Sequence, residues 1–421
     1  MSDIRIDTYE FNVSGTSGTL NIADVGNILH AFIKPNSSST RSSGGQTDST
    51  GTLGPDDCGV GLEITATDKI TYDKDTANTV KVMFEVWVYI GAPGGAYEFI
   101  VRQRGSILLP SGSTQVLEDI TGMTDRNDCI PFYTGFSSAQ ASNSEWDKAT
   151  LAVRINNLNK INFSRNNTGG NADMRPYYEV VEFTGSAWNV YAAMSDNHDT
   201  GNDVNGTVGD VVSLNTDSLG VGGTVITSID WSTAAIMQVT MEGDTAETGL
   251  SDCQMVVRPE GNQVRFTLDN SNSRNDGLSF CYVLQCDDLI VNRRFQYNLS
   301  ENNGGSTYGV DLAVPTGVNP ATPLNQLGLE WMPCTNGEGT AWPRGCLVAK
   351  IIANTGNGVR HYVSRSGNNV SASYAFIDVS GLIDSQSTTR LIKHNGVDAD
   401  AIYFNGVLAD KAYLNGNLIF E

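Results

Sequence analysis

Phe84-Glu85-Val86-Trp87-Val88-Tyr89 is a run of aromatic and β-branched residues, the composition of a strand on a pleated, largely buried surface. Three similar runs follow: Tyr178-Glu179-Val180-Val181-Glu182-Phe183, Phe280-Cys281-Tyr282-Val283-Leu284-Gln285 and Tyr374-Ala375-Phe376-Ile377-Asp378-Val379. Their first residues lie 94, 102 and 94 positions apart. That period exceeds a solenoid repeat and has the size of a small domain. The reading is a string of β-domains, an organisation suited to spanning, coating or binding.

The residues around each run repeat as well. Some 14 to 17 positions earlier stand Ile70-Thr71-Tyr72, Ile161-Asn162-Phe163, Val264-Arg265-Phe266 and Val359-Arg360-His361-Tyr362, each followed by Asn, Asp, Gly and Ser. Strand, polar loop, strand predicts a hairpin with a long tip. Further upstream lie Cys58 to Ile64, Ala149 to Ile155, Cys253 to Val257 and Cys346 to Ile352. The units open on Glu10-Phe11-Asn12-Val13, Glu98-Phe99-Ile100-Val101, Trp188-Asn189-Val190-Tyr191 and Arg294-Phe295-Gln296-Tyr297. These markers place four units at 1–93, 94–186, 187–289 and 290–384. With 44 glycines, few charges and no sustained helical period, the predicted class is all-β: tandem β-sandwich or jelly-roll-like domains of about seven or eight strands each.

Residues 385–421 change character. Asn395-Gly396, Asn405-Gly406 and Asn415-Gly416 recur every ten residues between short apolar runs such as Ala401-Ile402-Tyr403-Phe404 and Lys411-Ala412-Tyr413-Leu414. Asn-Gly between apolar runs is the strongest short hairpin signal, because both turn residues accept positive φ. The expectation is a small C-terminal hairpin module, too small to be stable alone. It reads as an assembly or docking element, with a cap on the fourth unit as the alternative.

Charge and cysteines narrow the setting. The net charge is −21, with 26 basic and 47 acidic residues and no basic patch, which disfavours nucleic-acid binding. Met1 to Asp7 lacks the basic and apolar segments of a secretory signal, and no apolar run reaches a membrane span. The expectation is a chain made and folded in a cytoplasm, without membrane insertion. Cysteines stand at 58, 129, 253, 281, 286, 334 and 346. Their odd number and loose spacing favour buried free thiols over the pairs Cys253–Cys281 and Cys334–Cys346, and fit no zinc knuckle. Glycosylation sequons at Asn12, Asn36, Asn162, Asn166, Asn205, Asn298 and Asn369 read as chance in an Asn-rich chain.

Catalytic chemistry finds little support. His30, His198, His361 and His394 share no ligand spacing, and His30 and His361 sit in strand-like runs where a packing role is expected. No nucleophile elbow or phosphate-binding glycine loop is present. Paired carboxylates, as at Asp56-Asp57, Asp287-Asp288 and Asp398/Asp400, mean little among so many acids. The loop from Asp196 to Gly206 is dense in oxygen donors but departs from an EF-hand; it reads as a solvated loop, with a structural calcium as the alternative. Trp87, Trp146, Trp188, Trp231, Trp331 and Trp342 read as packing residues ahead of sugar platforms. The expectation is a non-enzymatic chain with no catalytic residue, no cofactor and no metal ligand assigned.

The repeated strand pair closing on Tyr178-Glu179-Val180-Val181-Glu182-Phe183 resembles repeats in tailed-bacteriophage virion proteins. Arg165, two residues after Phe163, is similar to an Arg often found on the preceding strand there; Arg365 holds a comparable place, and Asp269 departs from it. Tyr403-Phe404-Asn405-Gly406 and Tyr413-Leu414-Asn415-Gly416 are similar to the C-termini of phage tail and fibre components. The resemblance implies a virion component assembled in the host cytoplasm, first of all a tail-associated fibre or appendage serving assembly and host attachment. The alternatives are a capsid decoration or head-fibre protein, and a glycan-binding or glycan-degrading β-protein. Expected partners are further copies of the chain, a trimer first, then other virion proteins and a host-surface glycan or protein.

Overall fold

A computed structural model describes residues 2–37, 54–141, 148–165, 169–195, 210–220, 223–242, 255–268, 278–300, 309–336, 348–362 and 369–384, with short strands between 389 and 420. The first six strands are β1 (Ile4–Val13), β2 (Ser17–Asn21), β3 (Ala31–Pro35), β4 (Gly61–Ala66), β5 (Lys69–Asp73) and β6 (Val80–Tyr89). The second set is β7 (Ile100–Ser106), β8 (Gln115–Asp119), β9 (Cys129–Ser138), β10 (Ala152–Ile155), β11 (Lys160–Ser164) and β12 (Met174–Glu182). The third is β13 (Asn189–Ser195), β14 (Asp210–Ser213), β15 (Ala234–Met241), β16 (Met255–Glu260), β17 (Gln263–Leu268) and β18 (Ser279–Gln285). The fourth is β19 (Ile290–Ser300), β20 (Gly309–Ala313), β21 (Leu327–Asn336), β22 (Val348–Ile351), β23 (Asn357–Tyr362) and β24 (Asn369–Asp378).

One topology recurs in all four sets. The sixth strand lies between the first and third, and the fifth between the second and fourth, with every pair antiparallel. Each unit is therefore a sandwich of two three-stranded sheets. Among the described residues it has six strands, where the sequence suggested seven or eight. The expected hairpin between the fifth and sixth strands is not formed. β5 and β6 are the central strands of opposite sheets, and the polar loop between them crosses from one sheet to the other. The true hairpins join the fourth and fifth strands, as in β4–β5 and β16–β17.

The central strand of the first sheet was conspicuous in the sequence because both its faces are covered. Every position of β6 is buried, which gives a continuous apolar run rather than alternation. Phe84, Val86 and Val88 enter the first unit's own core with Ile33, Leu62 and Ile70. Trp87 and Tyr89 point the other way, into a core that all four units share with Phe132, Val181, Tyr282 and Ile377. Tyr178 and Val180, Cys281 and Val283, and Tyr374 and Phe376 line the other three private cores. The sequence alignment of the third run is thus off by one residue: Phe280 faces the shared core, whereas Phe84, Tyr178 and Tyr374 face private ones. A one-residue slip exchanges the faces of a strand.

The shared core means that the units do not form an open string. The fourth strand of each unit meets the third strand of the next: β4 meets β9, β10 meets β15 and β16 meets β21. The fourth unit closes on the first, where Ala349 N–H donates to Asn36 O at 3.0 Å and Ser37 bridges Val348. Repeated head-to-tail contacts that close make a ring. The segments joining successive units, and the one following the fourth, each send an apolar residue into the shared core: Tyr97, Trp188, Leu289 and Leu382. These segments also bond to one another, Tyr97 Oη to Asp288 Oδ2 at 2.6 Å and Asp384 N–H to Asp3 Oδ2 at 2.7 Å.

Beyond residue 384 the strands are β25 (Thr389–Arg390), β26 (Lys393–His394), β27 (Val397–Asp398), β28 (Ile402–Tyr403), β29 (Ala412–Leu414) and β30 (Asn417–Phe420). β26 pairs with β27 across positions 395–396, and β29 with β30 across positions 415–416, two of the three Asn-Gly sites.

Candidate functional site at the junctions between units

The most unusual chemistry of the chain is carboxylate buried between units. Glu85 and Glu179 sit at the same offset in β6 and β12, on the face opposite the private core, and both are fully buried. Glu179 Oε2 accepts the backbone N–H of Ile33 from the preceding unit at 2.6 Å. Glu85 Oε1 accepts the N–H of Leu329 at 2.7 Å. At the junction of the third and fourth units, Glu330 Oε2 accepts the N–H of Ile236 at 2.8 Å. Ile33, Ile236 and Leu329 hold one register position, opposite Val86, Val283 and Phe376. Glu330 lies on the third strand, directly opposite Ala375, which holds the position of Glu85 and Glu179. The carboxylate has moved one strand sideways and still meets the same donor.

Each carboxylate has a cation from a flanking strand. Arg104, opposite Glu179 in register, places Nε 3.4 Å from it and donates to Ala31 O and Ile28 O at 2.7 Å. Arg293 grips Glu330 with two bonds of 2.8 and 2.7 Å and donates to Ala234 O at 2.9 Å. Lys34 serves Glu85 at 3.8 Å and donates to Leu329 O. Each cation therefore also ties down backbone of the preceding unit. Burial pushes Glu179 up to about 7, against the pull of Arg104 and the Ile33 N–H. Burial pushes Lys34 down, against Glu85 and Glu330. Glu85 and Glu330 have both oxygens hydrogen-bonded, whereas Glu179 Oε1 faces the Arg104 charge without a hydrogen bond; in each pair, losing either partner strands a charge.

Close backbone approach accompanies the charges. A Cβ on Gly61 would overlap the Tyr177 ring of the next unit, and one on Gly328 would stand 2.7 Å from Trp87 and 3.3 Å from Glu85 Oε2. Thr134 Oγ1 donates to Leu62 O at 2.7 Å across one junction, and Thr240 Oγ1 to Val153 O at 3.3 Å across the next.

The residues weighed for chemistry in the sequence do not converge. His361 is buried in β23 against Trp331, ring centroids 5.6 Å apart. His30 lies in a short 3-10 turn rather than a strand, 3.5 Å from Glu98. His198, the 196–206 loop, Cys253, Cys346, Asp269, Arg365, Trp146 and Trp342 fall outside the described residues. Cys58, Cys129, Cys281 and Cys286 are buried free thiols. Trp87, Trp188 and Trp331 are buried, and Trp231 is half-buried beneath Arg293. Asn36 and Asn162, within sequons, are buried. Arg165 is buried and donates to the carbonyls of Pro110, Ser113, Lys148 and Ala172, tying three loops together. Among the described residues no group of three or more His, Cys, Asp or Glu could hold a metal, and no helix is long and apolar enough to cross a membrane.

Fold and junctions together define an all-β protein of four tandem sandwiches closed on one another. No protein-family model and no curated protein matches the chain.

Proposed function

We propose that this chain is a structural component of a bacteriophage virion, in first place a tail-associated fibre or appendage that takes part in assembly and host-surface attachment. The observation that carries the reading is the set of buried charges at the junctions. Glu85, Glu179 and Glu330 spend desolvation to hold neighbouring units in one arrangement. That suits a part that must keep its shape in a particle, and the resemblance of the repeats and the Asn-Gly tail points to the same class.

Closure changes how such a part would work. Four units packed on a common core form a body and add little length, so reach would come from the segment after residue 384 and from oligomerisation, a trimer first. Repetition of the chain in the particle would turn weak contacts into avidity. Closure also favours the second reading, a capsid decoration or head-fibre protein, for which a compact body is apt. The burial of Trp87, Trp188 and Trp331 supports neither a sugar platform nor the glycan reading.

Deleting residues 390–421 is expected to leave the four sandwiches folded and to impair assembly or docking, read as reduced incorporation into particles. Unchanged incorporation of the truncated chain would refute the docking role. Electron cryomicroscopy of the assembly containing the chain separates the two readings: density on a tail supports the appendage, density on a capsid the decoration protein, and a free particle neither.

A further inference from the structure

Lys34 is among the largest fully buried side chains, and its surroundings do more than neutralise it. Lys34 and Asn36 are two residues apart on extended backbone, so their side chains leave on the same side. Lys34 Nζ lies 3.1 Å from Asn36 Oδ1. The carbonyl carbon is one C=O bond, about 1.2 Å, beyond that oxygen. Glu85, directly opposite Lys34 in register, places Oε1 3.0 Å from Asn36 Nδ2 and Oε2 3.8 Å from Lys34 Nζ. Leu329 N–H and Trp87 Nε1 hold the carboxyl group in place at 2.7 and 2.9 Å. Phe32, Phe84 and Trp87 are buried close by in sequence and register.

We propose that Lys34 and Asn36 form an intramolecular isopeptide bond, with Glu85 as the catalytic proton shuttle. The amine must be neutral to attack, and the site provides for it: one proton passes from Lys34 to Glu85, an exchange that removes two opposite charges from an apolar interior. The Nζ lone pair then adds to the Asn36 amide carbon. The Glu85 carboxylic acid protonates Nδ2, the leaving nitrogen it already touches, and the resulting carboxylate takes a proton from Nζ. The carbon–Nδ2 bond breaks and ammonia departs with its electron pair. Ammonia leaves as the neutral molecule, so the products are a secondary amide, a protonated Glu85 and ammonia, with no unpaired charge left buried; no oxidant or other reactant is required. The new amide keeps one N–H, which can retain the bond that Lys34 makes to Leu329 O. Burial lowers the pKa of Lys34, in the direction the attack needs. The bond would lie where the first and fourth units meet, so it would lock the closing junction of the ring.

The test is mass spectrometry of the full chain after folding and proteolytic digestion. The peptide containing Lys34 and Asn36 is expected to be lighter by one ammonia and to give no fragments from cleavage between residues 34 and 36. Glu85→Gln is expected to restore the mass given by the sequence. A succinimide at Asn36 would also lose ammonia, but without Lys34; Lys34→Arg must therefore restore the full mass too. The proposal is overturned if the wild-type peptide keeps its full mass after prolonged incubation of folded protein, or if the loss persists in Lys34→Arg. The wild-type measurement decides even if a variant fails to fold.

Discussion

Pro131 and Tyr282 are matched replacements at a single junction. Pro131 lies opposite Val180, the register position at which Ile33, Ile236 and Leu329 donate an N–H to the next unit. Proline has no N–H to give. In the following unit the position of Glu85 and Glu179 is held by Tyr282, whose hydroxyl donates to Ser218 O at 3.1 Å in its own unit and accepts the Ile155 N–H of the preceding one. The third-strand N–H and the carboxylate are thus both missing from one junction and both present at three. A carboxylate there without its donor would be a stranded charge, and a donor without a carboxylate an orphaned N–H. The two sites behave as a pair across 151 positions of sequence.

Removing the donor where the carboxylate remains is therefore expected to be costly. Ile33→Pro deletes the bond to Glu179, and a hydrogen bond to a charged group contributes about 1.5–3 kcal/mol. Pro131→Val adds an N–H where no carboxylate stands, and an orphaned buried donor costs about 1–3 kcal/mol. Combining it with Tyr282→Glu is expected to recover part of the loss. Urea unfolding of Ile33→Pro, Pro131→Val and the double variant checks the pairing. A double variant no more stable than the sum of its single losses would mean that donor and carboxylate do not act as a pair.

Tyr282→Glu tests the same pairing from the acceptor side. It buries a carboxyl group where Pro131 offers no N–H and where the Ile155 N–H and the Arg154 charge are the near compensation, and a poorly compensated buried charge costs about 3–5 kcal/mol. Tyr282→Phe, which keeps the ring and loses the hydroxyl's bonds to Ser218 O and to the Ile155 N–H, is expected to cost about 1–3 kcal/mol. Thermal unfolding of the two variants gives the order. A glutamate tolerated as well as phenylalanine would show that water or a rearranged cation reaches the site.

How much of this was legible in the sequence depends on what each residue does locally. Phe84 to Tyr89 and its three counterparts declared themselves because a strand covered on both faces must be apolar throughout. The strand-and-loop pattern before them did not reveal that β5 and β6 belong to different sheets, because a crossing loop and a hairpin tip have the same polar composition. Glu85 and Glu179 stood in plain view, each at the second place of a quoted run. An acid amid residues buried on both faces, repeated at one offset in two units, was the signal for a buried partner. The third and fourth units hid the pattern: Tyr282 replaces the acid and Glu330 carries it on another strand. Ring closure was not legible at all, since it is made by Leu329 meeting Glu85 across 244 positions. The Arg at position 165 was singled out by resemblance, but its work on four carbonyls appears only in three dimensions.

That work is measurable. Arg165→Met keeps much of the stem volume but orphans the carbonyls of Pro110, Ser113, Lys148 and Ala172. Losing several bonds to a charged donor is expected to cost about 3 kcal/mol or more. Burial already lowers the Arg165 pKa, to about 10, so Arg165→Lys, with three donors and a weaker hold on its proton, should recover only part of the loss. Thermal unfolding, with limited proteolysis of the loops around 110 and 170, reads both effects. A full rescue by lysine would show that charge alone matters there.

Two buried groups give stability opposite dependences on pH. Glu179 has its pKa raised in the fold, from 4.5 to about 7. Its protonated form is favoured by folding, so its contribution is complete below 4.5 and is lost as pH rises through about 7. His361 has its pKa lowered, from 6.5 to about 4, by burial against the pull of Asp311. Its neutral form is favoured, so its contribution is complete above 6.5 and is lost as pH falls through about 4. Each shift corresponds to about 3 kcal/mol at most. Between 4.5 and 6.5 the two slopes oppose and largely cancel. Glu179→Gln is then expected to expose the histidine, with stability falling as pH drops from 6.5 to 4.5. His361→Gln should expose the carboxyl group, with stability falling as pH rises over the same range. Urea unfolding at pH 4.5, 5.5 and 6.5 measures both slopes. Parallel curves for wild type and the two variants would mean that neither group titrates differently in the folded and unfolded chain.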